Sequence, residues 1–141
     1  MNNEKKKEIT ELMGSATVVY VSSVDKDGYP NIKAMLALER EGIGKHYFST
    51  NLSAKRTQRF TENSKACIYY CDNDDYKGLM LTGEMEVLKD RKHRQMLWRD
   101  GFEMYYPKGI DDEDYCVLRF TAIRGNYYHG LQNESFMISE F

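Results

Sequence analysis

The sequence predicts a mainly β protein with short helices, a six-stranded antiparallel barrel forming one domain over residues 1–141. Three observations carry this. Segments rich in β-branched and aromatic residues recur along the chain. Turn signals sit between several of them at hairpin distance. Only a few short stretches carry helical spacing.

Residues Glu4 to Met13 read as a short helix, with Ile9, Leu12 and Met13 on one stripe. Thr17 to Val24 is β-branched and reads as the first strand. Asp25-Lys26-Asp27-Gly28 is a tight hairpin loop, with Gly28 free to take the left-handed conformation. The return strand is Tyr29 to Leu38, with Pro30 at its beginning, where a missing donor is tolerated. A third strand, Lys45 to Thr50, follows the Gly42/Gly44 turn. Ser53 to Asn63 reads as a helix with Ala54, Thr57 and Phe60 inward, and Lys65 to Cys71 as the fourth strand.

The fifth strand is Gly78 to Leu88. Leu79, Leu81, Met85 and Val87 take one face, and Thr82, Glu84 and Glu86 the other, the alternation of a half-exposed antiparallel strand. Asp90 caps a helix reaching Trp98. The last strand runs from Tyr115 to Ile123 and extends toward Tyr127 and Tyr128. Closing such a sheet removes its edges, and a barrel of this size is filled by its own side chains. A ligand must then bind on a rim or at a subunit crease.

Of the 141 residues, 41% are apolar and 30% charged, enough for a core without staples and too apolar for disorder. No apolar run approaches the length of a membrane span, and the start, Met1 to Lys7, leads into no signal-peptide core. A cytoplasmic protein is expected. Cys67, Cys71 and Cys116 are odd in number and fit buried free thiols. His46, His93 and His129 lack metal-ligand spacing, so no metal is expected.

The net charge of −2 argues against a general nucleic-acid binder. The charge is nevertheless segregated. Lys45 to Lys65 and Lys89 to Arg99 each hold five basic residues and one acid, whereas Gly101 to Tyr115 holds five acids and one lysine. Such blocks are solvated surface, subunit contact or a local anion site.

The most informative stretch is Phe48-Ser49-Thr50-Asn51-Leu52-Ser53-Ala54-Lys55-Arg56. A strand ends in hydroxyl residues, and a helix then starts near Ser53 with two cations in its first turn. The helix dipole disfavours cations there. An anion on the helix end would reconcile them, cradled by backbone N–H groups, hydroxyls and Lys55. A plain serine N-cap with solvated cations is the alternative. Lys33 adds to the anion reading. It lies mid-strand among apolar residues, sharing a face with Met35 and Ala37, and must snorkel to water or meet an anion. An edge-strand gatekeeper is the alternative there. The small or soft Ala34, Met35 and Ala37 would let a flat ring lie against the backbone.

These segments resemble the FMN-binding split barrel family, which includes the pyridoxamine 5′-phosphate oxidases and the general stress protein type flavoproteins. Asp27-Gly28-Tyr29-Pro30 followed by Lys33-Ala34-Met35 resembles their opening hairpin. Phe48 to Lys55 resembles their phosphate-binding turn. Leu97-Trp98, Tyr106-Pro107-Lys108-Gly109, Asp111-Asp112 and Cys116 to Phe120 resemble the C-terminal half of the general stress protein branch.

The resemblance implies a split barrel and a homodimer, with FMN in the crease between two barrels. It places Lys33, Ser53 and Lys55 on the phosphate. It places Ala34 and Met35 along the flavin ring, and Ser49 and Thr50 on the ring, ribityl chain or phosphate. Trp98 and the aromatics from Phe102 to Tyr106 are assigned near the ring from the partner side. Two positions depart from the pattern: Ala54 stands where an arginine often precedes the helix lysine, and Gly78 stands where the oxidases carry a glutamine. The oxidases also end in an Arg-x-His signature for pyridoxal phosphate. The tail from Tyr127 to Phe141 has none, so vitamin B6 oxidation is not expected.

The expected function is that of an FMN-binding, flavin-dependent oxidoreductase using a reduced nicotinamide donor. The cofactor would supply the redox chemistry, and no catalytic side chain is required. The alternatives are a non-enzymatic flavin-binding stress protein, a split barrel for haem or a deazaflavin, and a β-barrel nucleic-acid module.

Overall fold

The computed structural model describes residues 1–141. Helix α1 (Asn3–Ser15) starts at the side chain of Asn2, which accepts from the Lys5 N–H, and buries the expected Ile9, Leu12 and Met13. Strands β1 (Val18–Val24) and β2 (Pro30–Leu36) form the first hairpin. Its loop is tied by Asp25: Oδ1 accepts from the N–H groups of Asp27 at 3.0 Å and Tyr29 at 2.9 Å. Gly28 takes φ 86°, as the loop requires.

The chain continues through β3 (Glu39–Glu41), β4 (Lys45–Asn51), α2 (Lys55–Glu62), β5 (Lys65–Asp72) and β6 (Lys77–Leu88). Helix α3 (Arg91–Leu97) follows, its Asp90 cap accepting from the His93 N–H. Two 3-10 turns, Phe102–Met104 and Gly109–Asp111, lead to β7 (Tyr115–His129), β8 (Gln132–Met137) and a last 3-10 turn.

All ladders are antiparallel, in the order β2-β1-β5-β6-β7-β4-β3, with β8 added to β7. The sheet curls until β2 approaches β4, but no ladder joins them. The barrel is therefore split along that seam. The six expected strands are present, and the sheet has eight. The expectation missed β3 and β8 for a physical reason. β3 is Glu-Arg-Glu, and β8 is polar except for Phe136 and Met137, so neither shows the apolar alternation that marks a half-buried strand.

The interior is filled by Val19, Val21, Phe48, Ile68, Leu79, Leu81, Leu118 and Phe120, with the α1 stripe packed against them. Each such side chain contributes about 1.5–3 kcal/mol relative to exposure. Cys116 is buried, whereas Cys67 and Cys71 are only half-buried. The difference follows from β5, where Ala66, Ile68 and Tyr70 take the inner face and the two cysteines the outer one.

One polar pair lies inside the barrel. His46 is 1% exposed. Its Nε2 meets the Ile43 carbonyl oxygen and its Nδ1 meets the Tyr70 hydroxyl, each at 2.7 Å. A carbonyl only accepts, so Nε2 carries the proton and Nδ1 accepts from Tyr70. Burial lowers the His46 pKa to about 4 against an ordinary 6.5, because the charged ring is desolvated. The unfolded chain therefore binds the proton first. Stability from this residue is complete above pH 6.5, falls as pH drops toward 4, and is lost below it. A shift of this size corresponds to about 3 kcal/mol. The expected outcome is that His46→Gln flattens the decline in unfolding free energy between these pH values, followed by urea denaturation. An unchanged pH slope would show that His46 does not carry it.

Candidate functional site

The β4–α2 turn is held by Asp114. Its carboxylate accepts from Asn51 Nδ2 at 2.8 Å, the Ser53 N–H at 2.9 Å and the Ser53 hydroxyl at 3.0 Å. Its carbonyl oxygen accepts from the Leu52 N–H at 2.8 Å. The hydrogen bond from Asn51, followed by those from Ser53, holds the Asp114 carboxyl below its ordinary pKa. Thr57 adds a hydroxyl bond back to the Asn51 carbonyl oxygen at 2.8 Å. This arrangement corrects one expectation. Helix α2 begins two residues later than Ser53, its N-cap is Ala54, and no side chain caps it. Ser53 instead faces Asp114, which takes its donors.

The uncapped end of α2 faces a hollow of about 390 Å³ against β1 and β2. Four cations line it: Lys33 from β2, and Lys55, Arg56 and Arg59 from α2. None stands within 4 Å of a carboxylate. Lys33 is brought here by register. It lies opposite Val21, so it shares the inner face of the hairpin, as does Met35 opposite Val19. An alanine N-cap and cations in a first helical turn are each unfavourable by themselves. An anion there would accept from the free N–H groups and offset the cations.

A second hollow of about 160 Å³ adjoins the first and shares Arg56 with it. It is the seam between β2 and β4. Ala34, Met35 and Leu36 form one wall, and Ser49, Thr50 and Asn51 the other. Phe102, Tyr105 and Tyr106 close the third side. Two polar atoms here are buried without a partner, Thr50 Oγ1 and Arg56 Nε. Unpaired buried polar atoms cost free energy, and their usual explanation is a ligand or bound water. The combination of cations beside a flat, partly apolar slot with free polar atoms suits a planar ring attached to a phosphate.

The structure thus brings together Lys33, Ala34, Met35, Ser49, Thr50 and Lys55. It sets Ser53 against Asp114 and Trp98 outside the slot. The Trp98 indole packs behind the wall, 5.7 Å from Phe102 and 5.5 Å from Tyr115 between ring centroids. Phe102, Tyr105 and Tyr106, expected from a partner, line the slot of their own chain. Gly78 lies under the Tyr69–Tyr128 hydroxyl pair, where a side chain would collide with both rings. The sequence reading missed Arg56 and Arg59 as hollow-lining groups. Their spacing from Lys55 within one helix was the available signal.

None of the three histidines lines either hollow. His46 is inside the barrel, His93 pairs with Asp90, and His129 lies 3.3 Å from Glu8 at the α1–β7 contact. No helix is long and apolar enough to cross a membrane.

Comparison with known proteins agrees with the fold. A profile of the pyridoxamine 5′-phosphate oxidase-like family matches residues 4–140. A crystal structure from Clostridium acetobutylicum, of a protein related to general stress protein 26 in the pyridoxine phosphate oxidase family, is 45% identical, with 99% of each chain covered and a TM-score of 0.90. A haem-binding protein from Mycobacterium smegmatis shares the fold at 16% identity, with 97% of this chain and 59% of that one covered and a TM-score of 0.77. A pyridoxine/pyridoxamine 5′-phosphate oxidase from Shewanella sediminis is 30% identical over 79 residues, which are 56% of this chain and 37% of that enzyme. The matched stretch is thus well under half of that relative's length.

Asp114→Ala removes the acceptor that orders the turn. It is expected to lower stability by about 1–2 kcal/mol in urea denaturation, with Asp114→Asn losing less. Equal stability of Asp114→Ala and the wild type would contradict the role given to this carboxylate.

Proposed function

This chain belongs to the pyridoxamine 5′-phosphate oxidase-like family, and from that premise we propose that it binds FMN and acts as a flavin-dependent oxidoreductase supplied by a reduced nicotinamide nucleotide. The observation that carries the reading is the adjoining pair of hollows, a cationic cup opening into the slot between β2 and β4. Lys33, Lys55 and Arg56 would hold the phosphate. Each charge-assisted bond contributes about 1.5–3 kcal/mol. Ala34, Met35 and Leu36 would support the ring on one side, while Ser49 and Thr50 offer hydroxyls to its polar edge or to the ribityl chain. Phe102, Tyr105 and Tyr106 would exclude water from the third side. Bound FMN would supply the hydride and electron transfer. The residues' part is binding, orientation and desolvation.

A homodimer is part of this proposal. The outer faces of β1, β2 and β6 expose Val18, Tyr20, Ile32, Leu36 and Met80. The register makes them contiguous: Val18 lies opposite Leu36, Tyr20 opposite both Ala34 and Tyr69, and Tyr69 opposite Met80. A contiguous apolar face of this kind marks an interaction surface. Because β2 also walls the slot, a second copy seated there would enclose the ring.

The haem alternative has a relative in its favour, the mycobacterial haem-binding protein. With no histidine at either hollow, an iron there would need another axial ligand, so flavin fits these residues better. The reading does not extend to vitamin B6, because β8 and the last 3-10 turn, Gln132–Glu140, carry neither arginine nor histidine.

The first test is the visible spectrum of purified protein with mass spectrometry of any released ligand. FMN is expected, taken up more tightly than riboflavin. Lys33→Ala or Lys55→Ala is expected to weaken FMN by about tenfold or more. A protein that takes up no flavin, even when it is added, sinks the reading. Oxidation of a reduced nicotinamide nucleotide by the loaded protein separates the enzyme from a flavin carrier. For the dimer, Met80→Glu is expected to give monomers in light scattering and weaker FMN binding. A wild type that is monomeric at all concentrations would refute the shared crease.

A further inference from the structure

The cationic cup holds more positive charge than one phosphate requires. Lys33, Lys55, Arg56 and Arg59 line it, and none has a carboxylate partner. A phosphomonoester carries about −1.5 to −2 at neutral pH. The three cations assigned above already exceed that. Arg59 remains.

Its surroundings point to a ligand as well. Arg59 follows Lys55 by four residues, so the two stand on one face of α2, with Cβ atoms about 5–6 Å apart. Ser23 of β1 lines the same cup, a polar residue only 3% exposed that makes no side-chain hydrogen bond within the protein. The acid that acts on Arg59 from nearby is Asp25. Its oxygens are engaged by the hairpin N–H groups and, at 3.2 Å, by the Asn31 amide. That amide also donates to the Tyr29 carbonyl oxygen, so Asn31 is turned into the hairpin and not toward a ligand.

We propose that Arg59 and Ser23 form a second phosphoryl subsite, so that the cup holds two phosphoryl groups at once. This extends the flavin reading and rests on the phosphate clamp proposed there. The two groups would be either a diphosphate on one ligand, or the flavin phosphate and a phosphate of a second ligand. The chemistry at Arg59 is the same in both cases.

The test is calorimetry on the full chain stripped of flavin, with orthophosphate and pyrophosphate as probes. Pyrophosphate is expected to bind at least about tenfold more tightly, the gain of one further charge-assisted contact. Arg59→Gln should remove most of that preference and leave FMN affinity within about threefold. Lys92→Gln, which removes an exposed charge on α3, should change neither. If FMN binds but pyrophosphate is no tighter than orthophosphate, or Arg59→Gln weakens FMN and pyrophosphate alike, the subsite is refuted and the flavin reading stands. If the pyrophosphate preference and its dependence on Arg59 hold while no flavin binds, the subsite stands and the flavin reading falls. With the subsite established, uptake of orthophosphate by the FMN-saturated chain assigns the second group to a separate ligand. Its absence assigns a diphosphate to one ligand.

Discussion

The missing ladder between β2 and β4 is the constraint on which the rest of the molecule depends. Each strand beside the seam is anchored on its far side, β2 by β1 and β4 by β7. The two edges therefore face each other at fixed positions, with β2 and the β4 residues beyond Tyr47 left unpaired across the seam, while the short β3 pairs with Lys45 to Tyr47. Edge backbone of this kind invites association with other chains. Here it is guarded on both sides, by Lys33 and α2 at one end and by Phe102, Tyr105 and Tyr106 at the other. The slot is what a barrel gains by leaving one seam open. Its walls are strands, so its width does not depend on a loop.

The turn between β4 and α2 combines choices that no isolated helix would favour. Its cap is alanine, its first two helical residues are Lys55 and Arg56, and the one serine suited to capping is drawn away by Asp114. Local rules fail here together, and such failures concentrate at functional positions. Asp114 reconciles the strain of design with stability. By satisfying Ser53 and Asn51 it orders the turn from outside, and it leaves the helix end and its cations to face the cup. Because Asp114 begins the approach to β7, the clasp and the sheet are one connected structure.

Much of this was legible in the sequence, and the gaps have identifiable causes. The strand with clean alternation, Gly78 to Leu88, and the β-branched run at Thr17 announced themselves because burial on one face leaves a period of two. Lys33 was legible because a lysine amid apolar neighbours needs an explanation. Strands β3 and β8 were not legible, since pairing at an edge requires backbone and little apolar surface. The start of α2 was placed at Ser53 because a serine before a helix reads as its cap, and nothing local reveals an acid sixty-odd residues downstream that takes its hydrogen bonds. Trp98 was assigned near the ring from the partner side. Its indole faces Tyr115 and Phe102 instead of the slot, a distinction that depends on how the 3-10 turn folds back.

Strand β7 has a temporal consequence. It pairs with β6 along most of its length, with β4 over its first half and with β8 over its second, so Lys45 meets Thr121 and Asn51 meets Tyr115. The other ladder of β4 is only the three-residue pairing with β3. During synthesis the hairpin β1–β2 and helix α2 leave the ribosome early, yet they have no opposite wall until the segment from Tyr115 onward has emerged. Pairings this distant in sequence form slowly, because the loop between them must first be closed. A nascent chain therefore displays its cationic helix end well before it owns a slot. On the proposed function, capture of a cofactor would consequently be a late event, set by the translation of the final strands and not by the appearance of the residues that would touch the ligand.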